Sequence, residues 1–377
     1  MKKVGLLTYH GAINYGSVLQ AYALQQTICK LGNTCEIIDF RPKKQSDIYA
    51  LFRKPNSIKN IIIDAWALLD YGFMKRRNNS FDDFMTNRLS LSSKKLLTGK
   101  EVEELKDDYD IFCAGSDQIW NLSAPDYDSV YFMNFTGKRR FSYAASMGGV
   151  SNLDYWQKVA KNQLKDLELV DTLDVVSVRE KSAVSLLQNY TSKEIKVVLD
   201  PTLLMDKEQW EPIIGKRVIK GKYIFLYSIG YSEEVYQLAK RLSELYHMPM
   251  ITVYALRTNY KYFSKGVKRA KYESPEDFLS LIKNAEFVVT NSFHGTVFSI
   301  NFQKEFWIAA RHDEQGNAVV DERLENILSK TELLDRIVDV NSSESVEYQT
   351  KIDYESVSKS LKPLVDDSIE YLKKGLN

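Results

Sequence analysis

Cysteine and histidine are scarce in this chain of 377 residues, which contains three cysteines and four histidines. The cysteines are odd in number and form no Cys-x-x-Cys pair, so we expect free thiols, which fit a reducing cytoplasm, and no disulfide framework. The histidines show neither His-x-x-x-His nor His-Glu-x-x-His spacing. The absence of these spacings predicts that the protein has no metal site.

The sequence also lacks a long apolar run and an excess of either charge. The longest apolar candidate, residues 61–69, contains Asp64 and is too short to cross a bilayer. The apolar start of the chain ends at Thr8 with no cleavage-site pattern of a signal peptide. We therefore expect a soluble, cytoplasmic protein. Its 51 basic and 50 acidic residues almost cancel, so no overall field attracts nucleic acid.

What the chain does contain is a regular alternation of strand-like and helical segments, in a length that suits two domains. Strands are predicted over residues 4–8, 35–40, 110–114, 131–135, 140–145, 174–178, 196–199, 223–228, 250–254, 286–290, 306–310 and 337–340. Helices are predicted over residues 17–31, 58–69, 155–169, 181–188, 233–246, 275–282, 296–301, 322–328 and 354–374. The opening β-α-β unit indicates a parallel sheet.

This pattern predicts an α/β fold of two Rossmann-like, doubly wound domains that face each other across a cleft. We assign residues 1–205 to the first domain, on the acceptor side, with a helical insertion at about 42–106. Residues 206–345 form the second domain, on the donor side, and 346–377 form a helix that folds back. Ligands in such sheets bind beyond the carboxyl ends of the strands, where the polar loops of this sequence lie.

The loop after the first strand leads directly into a helix and is rich in aromatic and amide side chains. These groups offer stacking surface and hydrogen-bond partners for a sugar, and its glycines permit close approach of the backbone. The loop has neither the Gly-x-Gly-x-x-Gly pattern nor the lysine of a nucleotide-binding loop. An ordinary helix cap is the alternative. We predict an acceptor site that includes Tyr9, His10, Asn14, Tyr15 and Gly16.

A second polar loop, residues 115–121, follows the strand predicted over 110–114. Asp117 can bind a sugar hydroxyl or accept its proton, and we predict a catalytic role for it. Trp120 can pack either on a sugar ring or in the core. We place Gln118 and Trp120 in the acceptor site.

A polar turn follows the strand predicted over 286–290 and carries His294 just before a helix. The first amides of a helix lack internal partners and its dipole favours negative charge, so a phosphate or carboxylate can bind there. His294 can exchange a proton near neutral pH, and we predict that it is catalytic. A capping role is the alternative for this histidine. We predict a donor site that includes Asn291, Ser292, Gly295 and Thr296.

Arg179 stands between a predicted strand and a predicted helix, where its guanidinium can hold a carboxylate or phosphate with two hydrogen bonds. The alternative is a salt bridge to Glu180 or to another neighbour. A similar, weaker argument applies to Arg323, near the start of a late helix. We predict that both arginines contact the donor.

Five motifs, taken in order, resemble the polysaccharide pyruvyl transferase family over roughly residues 1–340. They lie at residues 14–20, 115–121, 177–180, 200–202 and 292–295. The resemblance implies a GT-B-like pair of Rossmann-type domains. It also implies transfer of a pyruvyl group from phosphoenolpyruvate to two hydroxyls of one sugar, giving a cyclic ketal and phosphate. By resemblance His294 belongs to the donor site.

The sequence leaves two other functions open: a GT-B-type glycosyltransferase that uses a nucleotide sugar, and a non-catalytic glycan-binding relative. The expected partners are phosphoenolpyruvate and a sugar or lipid-linked oligosaccharide of a cell-surface polysaccharide precursor. Trp66, Phe73 and the basic residues 75–77 of the insertion suggest peripheral contact with the inner membrane surface. A helical cover over the cleft is the alternative role of the insertion.

Overall fold

The computed structural model describes residues 1–48, 71–149, 152–254, 257–313, 315–342 and 346–377. The chain forms two compact units: unit 1 comprises Met1–Leu204 and Asp367–Asn377, and unit 2 comprises Met205–Asp366. Within the described ranges no helix is long and apolar enough to span a membrane. The helix predicted over 58–69, with Trp66, lies outside the described residues.

Unit 1 is built on a parallel sheet. Its strands are β1 (Lys3–Leu7), β2 (Thr34–Ile37), β3 (Ile111–Ala114) and β4 (Arg139–Ser142), in the order β2-β1-β3-β4. Strands β5 (Val176–Val178) and β6 (Ile195–Val197) form a further parallel pair, and single bridges join it to the segment around β4. The strand order reverses between β1 and β3, which opens a crevice beyond their carboxyl ends.

The helices of unit 1 cover this sheet. They are α1 (Tyr15–Lys30), α2 (Lys43–Ile48), α3 (Tyr71–Arg88), α4 (Gly99–Glu103), α5 (Leu153–Val159) and α6 (Lys181–Leu187), with 3-10 helices at Ser129–Phe132, Leu164–Thr172 and Pro201–Leu203. Two predictions are wrong. The apolar segment predicted as a strand over 131–135 begins as a 3-10 helix that ends at Met133 in the left-handed region, because its apolar residues are buried without pairing. The helix predicted over 155–169 stops at Ala160 and continues as a 3-10 helix.

Unit 2 contains a second parallel sheet, in the order β14-β11-β10-β7-β8-β9. Its elements are α7 (Lys207–Trp210), β7 (Ile224–Tyr227), α8 (Glu233–Tyr246), β8 (Met250–Thr252), α9 (Tyr260–Ser264), β9 (Lys268–Arg269), α10 (Pro275–Asn284), β10 (Phe287–Thr290), α11 (Phe293–Asn301), β11 (Glu305–Ala309), β12 (Arg311–His312), β13 (Ala318–Val319), α12 (Glu322–Lys330) and β14 (Ile337–Val338), with 3-10 helices at Glu211–Ile213, Arg257–Asn259 and Leu334–Arg336. Here the strand order reverses between β7 and β10.

The last helix, α13 (Tyr354–Leu376), begins in unit 2 and ends in unit 1. The central strands β3, β7 and β10 are buried at every residue, as expected for parallel sheets covered by helices on both faces. The predicted fold class, two Rossmann-like α/β domains, is confirmed.

Candidate active site

The predicted loops of unit 1 meet at the reversal between β1 and β3. Asn14 caps α1: its Oδ1 accepts hydrogen bonds from the amides of Gly16 at 2.9 Å and Ser17 at 3.4 Å. The Ser17 hydroxyl donates to Asp117 Oδ2, and the amide of Gln118 donates to Asp117 Oδ1 at 2.8 Å. Asp117 is thus held at the start of α1. Asn14 is thus a helix cap, the alternative weighed for this loop, and Gly16 lies in the first turn of α1.

The backbone of Asp117 has φ 76°, in the left-handed region. Aspartate tolerates this region better than most residues, yet such conformations persist only where the surroundings impose them, and they cluster at functional sites. Here the Asp117 carbonyl accepts a hydrogen bond from the amide of Ser146 at 2.9 Å. The strained turn therefore directs the carboxylate back towards α1.

Two aromatic residues of the predicted acceptor site belong to the core instead. The ring of Tyr15 is 1% exposed and packs 5.1 Å from Phe81, between ring centroids. The Trp120 indole is fully buried and stacks on Phe132, with centroids 5.0 Å apart. Neither ring can stack on a sugar in this structure, which corrects the prediction for Tyr15 and decides the two alternatives for Trp120.

His10 is also fully buried, so its predicted contact with the acceptor is not supported. Its Nε2 lies 2.8 Å from Asp39 Oδ1, and its Nδ1 lies 3.2 Å from the carbonyl of Thr8. Arg41 Nε donates to the same Asp39 oxygen at 2.5 Å. Burial by itself would raise the pKa of Asp39, but the hydrogen bonds and charges of His10 and Arg41 lower it below its ordinary value. The three side chains form an ion cluster beneath the loop.

Because of this ion cluster, we expect the stability of the protein to fall at acid pH. Because its folded pKa is depressed, Asp39 contributes stability above its unfolded pKa of about 3.9, and this stability is lost as the pH falls through the lower folded value. We expect the excess stability of wild type over Asp39→Asn to be large at pH 6 and to shrink below about pH 4. Urea unfolding at both pH values measures it. The exposed Asp83→Asn variant is the control, and a pH-independent difference for Asp39→Asn would contradict the prediction.

Arg179 has a partner that the sequence motifs did not assign. Its Nη1 donates to Asp200 Oδ2 at 2.8 Å, and the two side chains are 2% and 0% exposed. The Ser116 hydroxyl donates to the same oxygen at 3.0 Å, and Thr202 donates to the other oxygen of Asp200 through its amide at 3.0 Å and its hydroxyl at 2.7 Å. The carboxylate of Glu180 accepts hydrogen bonds from the Ser146 hydroxyl at 3.0 Å and from the amide of Met147 at 2.6 Å. Arg179 thus joins the carboxyl ends of β3, β5 and β6 within unit 1, and donor contact by this residue stays a prediction.

The histidine turn of unit 2 is arranged differently from the prediction. Helix α11 begins at Phe293, because Ser292 is its cap. The Ser292 hydroxyl accepts from the amide of Gly295 at 3.4 Å, and the Ser292 carbonyl accepts from the amide of Thr296 at 3.0 Å. These two amides are engaged by the helix and are not offered to an anion. Gly295 instead serves packing, since a Cβ there would lie 2.6 Å from Thr290 Oγ1.

His294 is the second residue of α11, half-buried, at the reversal between β7 and β10. Its ring centroid lies 5.3 Å from that of Phe293. The guanidinium carbon of Arg323 lies over the Phe293 ring, 5.9 Å from its centroid. Arg323 Nε and Nη2 donate to the two carboxylate oxygens of Asp321 at 2.8 and 2.5 Å. The half-buried Asn291 immediately precedes the cap. His294, Asn291 and Arg323 are therefore brought near one helix start. Among the residues that the structure describes, no group of three or more His, Cys, Asp or Glu side chains could hold a metal ion.

The basic residues 75–77 of α3 differ in their exposure to solvent. Lys75 and Arg76 are exposed, and Phe73 is half-buried. Arg77 is buried and donates from Nη2 to the carbonyl of Ile13 at 3.3 Å, so α3 packs on the β1–α1 loop. Membrane contact through this segment stays a prediction.

A family model described as polysaccharide pyruvyl transferase matches residues 14–313. A comparison with curated proteins finds no match. Similar solved structures include the UDP-GlcNAc 2-epimerase of Methanocaldococcus jannaschii, with 13% identity over 97% of this chain and 93% of that chain and a TM-score of 0.47. A second is the UDP-GlcNAc 2-epimerase of Neisseria meningitidis bound to UDP-GlcNAc, with 11% identity over 100% of this chain and 99% of that chain and a TM-score of 0.49. A third is the E. coli heptosyltransferase WaaC with ADP-2-deoxy-2-fluoro heptose, with 10% identity over 87% of this chain and 99% of that chain and a TM-score of 0.40.

The family match spans both units and contains all five motifs singled out in the sequence, including the Asp117 loop and the His294 turn. It covers most of the chain. The chain belongs to the polysaccharide pyruvyl transferase family and is a transferase.

Proposed function

We propose that this protein transfers the pyruvyl group of phosphoenolpyruvate to two hydroxyls of one sugar in a cell-surface or exopolysaccharide precursor. The products are a cyclic ketal and phosphate. The observation that carries the proposal is the position of His294, in the first turn of α11 at the strand reversal of unit 2. The positive end of the helix dipole favours an anionic donor there, and an imidazole can transfer a proton near neutral pH.

In the proposed reaction, protonation of the methylene carbon makes C2 of the donor electrophilic. One sugar hydroxyl adds to C2, phosphate leaves, and the second hydroxyl closes the ketal. The two hydroxyls release two protons; one balances the proton that the methylene carbon takes up, and the other leaves with phosphate. His294 is proposed as the acid, and Asp117 is proposed to position a hydroxyl. No cofactor is needed, because the donor carries the transferred group.

The donor is tested by thermal unfolding of wild type with phosphoenolpyruvate, with UDP-GlcNAc and with neither. A ligand of the native state at a hundred times its Kd stabilises by about 2.7 kcal/mol, so we expect a clear rise in Tm with phosphoenolpyruvate. Inorganic phosphate and pyruvate, given separately, are the controls for binding of the fragments. A rise with UDP-GlcNAc alone would favour the nucleotide-sugar glycosyltransferase. No rise with phosphoenolpyruvate would count against the proposed donor.

We also propose that the acceptor is a sugar or lipid-linked oligosaccharide, and that the protein works in the cytoplasm with peripheral contact to the membrane face. The exposed Lys75 and Arg76 support this contact, because basic side chains are attracted to anionic lipid. We expect sedimentation with phosphatidylglycerol vesicles that high salt and the variant Lys75→Glu/Arg76→Glu reduce. Equal sedimentation with phosphatidylcholine vesicles would contradict the electrostatic contact.

A further inference from the structure

The buried carboxylate of Glu180 holds a loop of unit 1 and has no part in the proposed reaction. The loop comprises residues 145–149 and follows β4, the neighbour of β3 in the sheet. Glu180 Oε1 accepts both the Ser146 hydroxyl and the Met147 amide, and Glu180 and Ser146 are fully buried. A buried backbone amide and a buried hydroxyl need such an acceptor. Glu180 therefore fixes one side of the 145–149 loop.

The backbone of the same loop holds the turn that carries Asp117. The amide of Ser146 donates to the Asp117 carbonyl at 2.9 Å, and the Ser146 carbonyl accepts from the amide of Trp120 at 3.2 Å. A β-bridge joins Asp117 to Ala145. Ser146 thus binds Glu180 with its side chain and the Asp117 turn with its backbone. These contacts impose the left-handed conformation of Asp117.

Gly148 connects the 145–149 loop to Gln118. Its amide donates to Ser146 Oγ at 3.1 Å, and its φ of 83° lies in the region that favours glycine. A Cβ at Gly148 would lie 3.0 Å from Gln118 Oε1 and 2.9 Å from Asn121 Nδ2. Asn121 Nδ2 donates to Gln118 Oε1 at 2.7 Å, and both side chains are half-buried, so solvent reaches them. The loop therefore supports the Gln118 side chain as well as the Asp117 turn.

We propose that Glu180 is a positioning residue of the acceptor site. Its carboxylate holds the 145–149 loop, and this loop holds Asp117 and Gln118 in the orientations in which they meet the sugar. Glu180 is fully buried and does not itself contact substrate. The inference rests on the proposed function, which gives Asp117 its part in the reaction. It assigns a role to a residue that the sequence offered only as a salt-bridge partner of Arg179.

The sequence could not reveal this role, because Glu180 and Ser146 are 34 residues apart. They meet because the segments that follow β4 and β5 lie side by side. A β-bridge joins Ala145 to Val178, and the amide of Arg179 donates to the Ala145 carbonyl at 3.1 Å. Adjacent residues of one motif thus serve different neighbours: Arg179 pairs with Asp200, and Glu180 holds the 145–149 loop.

Amide hydrogen exchange of the full chain, followed by NMR, tests the proposal without any ligand. The amides of Ser146 and Gln118 report on the hydrogen bonds to the Asp117 carbonyl and carboxylate. Their rates are measured relative to the amides of β1, a strand that is paired on both sides. Glu180→Ala removes two hydrogen bonds from the loop, so we expect the relative rates to rise about tenfold or more. Glu180→Gln keeps an oxygen that can accept both, so its rates should stay within about threefold of wild type.

Leu187→Ala is the matched control for a general loss of stability. Leu187 is fully buried at the end of α6, the helix that follows Glu180, and its truncation removes neither hydrogen bond of Glu180. The relative exchange rates of the Ser146 and Gln118 amides should therefore match wild type. Unchanged relative rates in Glu180→Ala would overturn the positioning role. A rise of equal size in Leu187→Ala or in Glu180→Gln would overturn it as well.

Ser146→Ala keeps the proposal testable if Glu180→Ala does not fold. It removes one of the two hydrogen bonds to Glu180 and the acceptor of the Gly148 amide, and it leaves the backbone contacts with Asp117 in place. We expect the relative exchange rate of the Gln118 amide to rise about threefold or more. An exchange rate equal to that of wild type would show that the 145–149 loop does not transmit the hold of Glu180 to the Asp117 turn.

The rise in Tm with phosphoenolpyruvate is measured on the same variants and separates this inference from the proposed function. Glu180→Ala and Ser146→Ala should both keep the rise, because the proposed donor site lies in unit 2. Faster exchange in the variants, with no effect of phosphoenolpyruvate on wild type, would support the positioning role and remove the proposed donor. A rise in Tm for wild type, with unchanged exchange in both variants, would overturn the positioning role alone.

Discussion

Replacement of Arg179 by alanine is expected to lower the free energy of unfolding by about 3–5 kcal/mol, the usual cost of leaving a buried charge without its partner. The side chains of Arg179 and Asp200 are 2% and 0% exposed, and their nitrogen and oxygen lie 2.8 Å apart. Without the guanidinium, the buried Asp200 carboxylate loses this charged partner, although it keeps the donors on Ser116 and Thr202. Urea unfolding at neutral pH measures the loss.

The matched control is Lys196→Ala in the same unit. Lys196 pairs with Asp367, but these side chains are 34% and 52% exposed, so the variant should lose no more than about 1 kcal/mol. A loss in Arg179→Ala as small as that of the control would show that the buried pair does not support unit 1.

This result also separates two roles for Arg179. If the arginine served only as a donor-binding group, Arg179→Ala would raise the KM for phosphoenolpyruvate and leave the unfolding curve unchanged. Because the pair is buried, we instead expect a loss of stability as the primary effect. Any change in kinetics would follow from the disturbed carboxyl ends of β3, β5 and β6. Arg179→Lys keeps the charge but loses the planar fork, so it should fall between wild type and alanine.

The sequence predicted the fold well because parallel strands buried on both faces leave near-continuous apolar segments with polar loops after them. The loops after β1, β3 and β10 were located correctly for this reason, and they flank the two places where strand order reverses. Strand order itself is a long-range property. The segment around Tyr131 shows the limit, since an apolar run does not reveal whether its backbone pairs with a neighbour.

Only part of the candidate site could be predicted from the sequence, because residue type does not reveal whether a side chain is buried. Tyr15 and Trp120 stand among polar neighbours in the sequence, yet both rings pack in the core. The start of α11 was placed three residues late, since the cap depends on the side-chain geometry of Ser292. The pairing of Arg179 with Asp200, 21 residues away, required β5 and β6 to lie side by side.

Both units present their polar loops at equivalent positions of similar sheets. In unit 1 the reversal between β1 and β3 gathers the Asp117 carboxylate, the Ser17 hydroxyl and the Asn14 helix cap, which suit hydroxyl groups. In unit 2 the reversal between β7 and β10 gathers a helix start, a histidine and Arg323, which suit an anion. This division of chemistry supports the proposal that unit 1 binds the sugar and unit 2 binds the donor.

Replacement of His294 by alanine is expected to lower kcat by about a hundredfold to ten-thousandfold, the usual contribution of a positioned acid or base. Phosphate release from phosphoenolpyruvate with an acceptor measures this loss. Stability should change little, because His294 is half-buried in the first turn of α11 and alanine is a good helix former. Retention of the Tm rise with phosphoenolpyruvate would assign His294 to the chemistry, whereas loss of that rise would assign it to donor binding.

The matched control is His312→Ala, which removes the other half-buried histidine of unit 2. His312 Nε2 lies 2.9 Å from Asp339 Oδ1, and the residue ends the short strand β12. We expect its kcat to stay within about threefold of wild type, a difference below 1 kcal/mol in the barrier. If His294→Ala turned over as fast as this control, the histidine would be a helix-start residue without a part in the reaction. The acid would then have to come from another group, such as the donor phosphate itself, and the measured pH dependence of the variant would test that source.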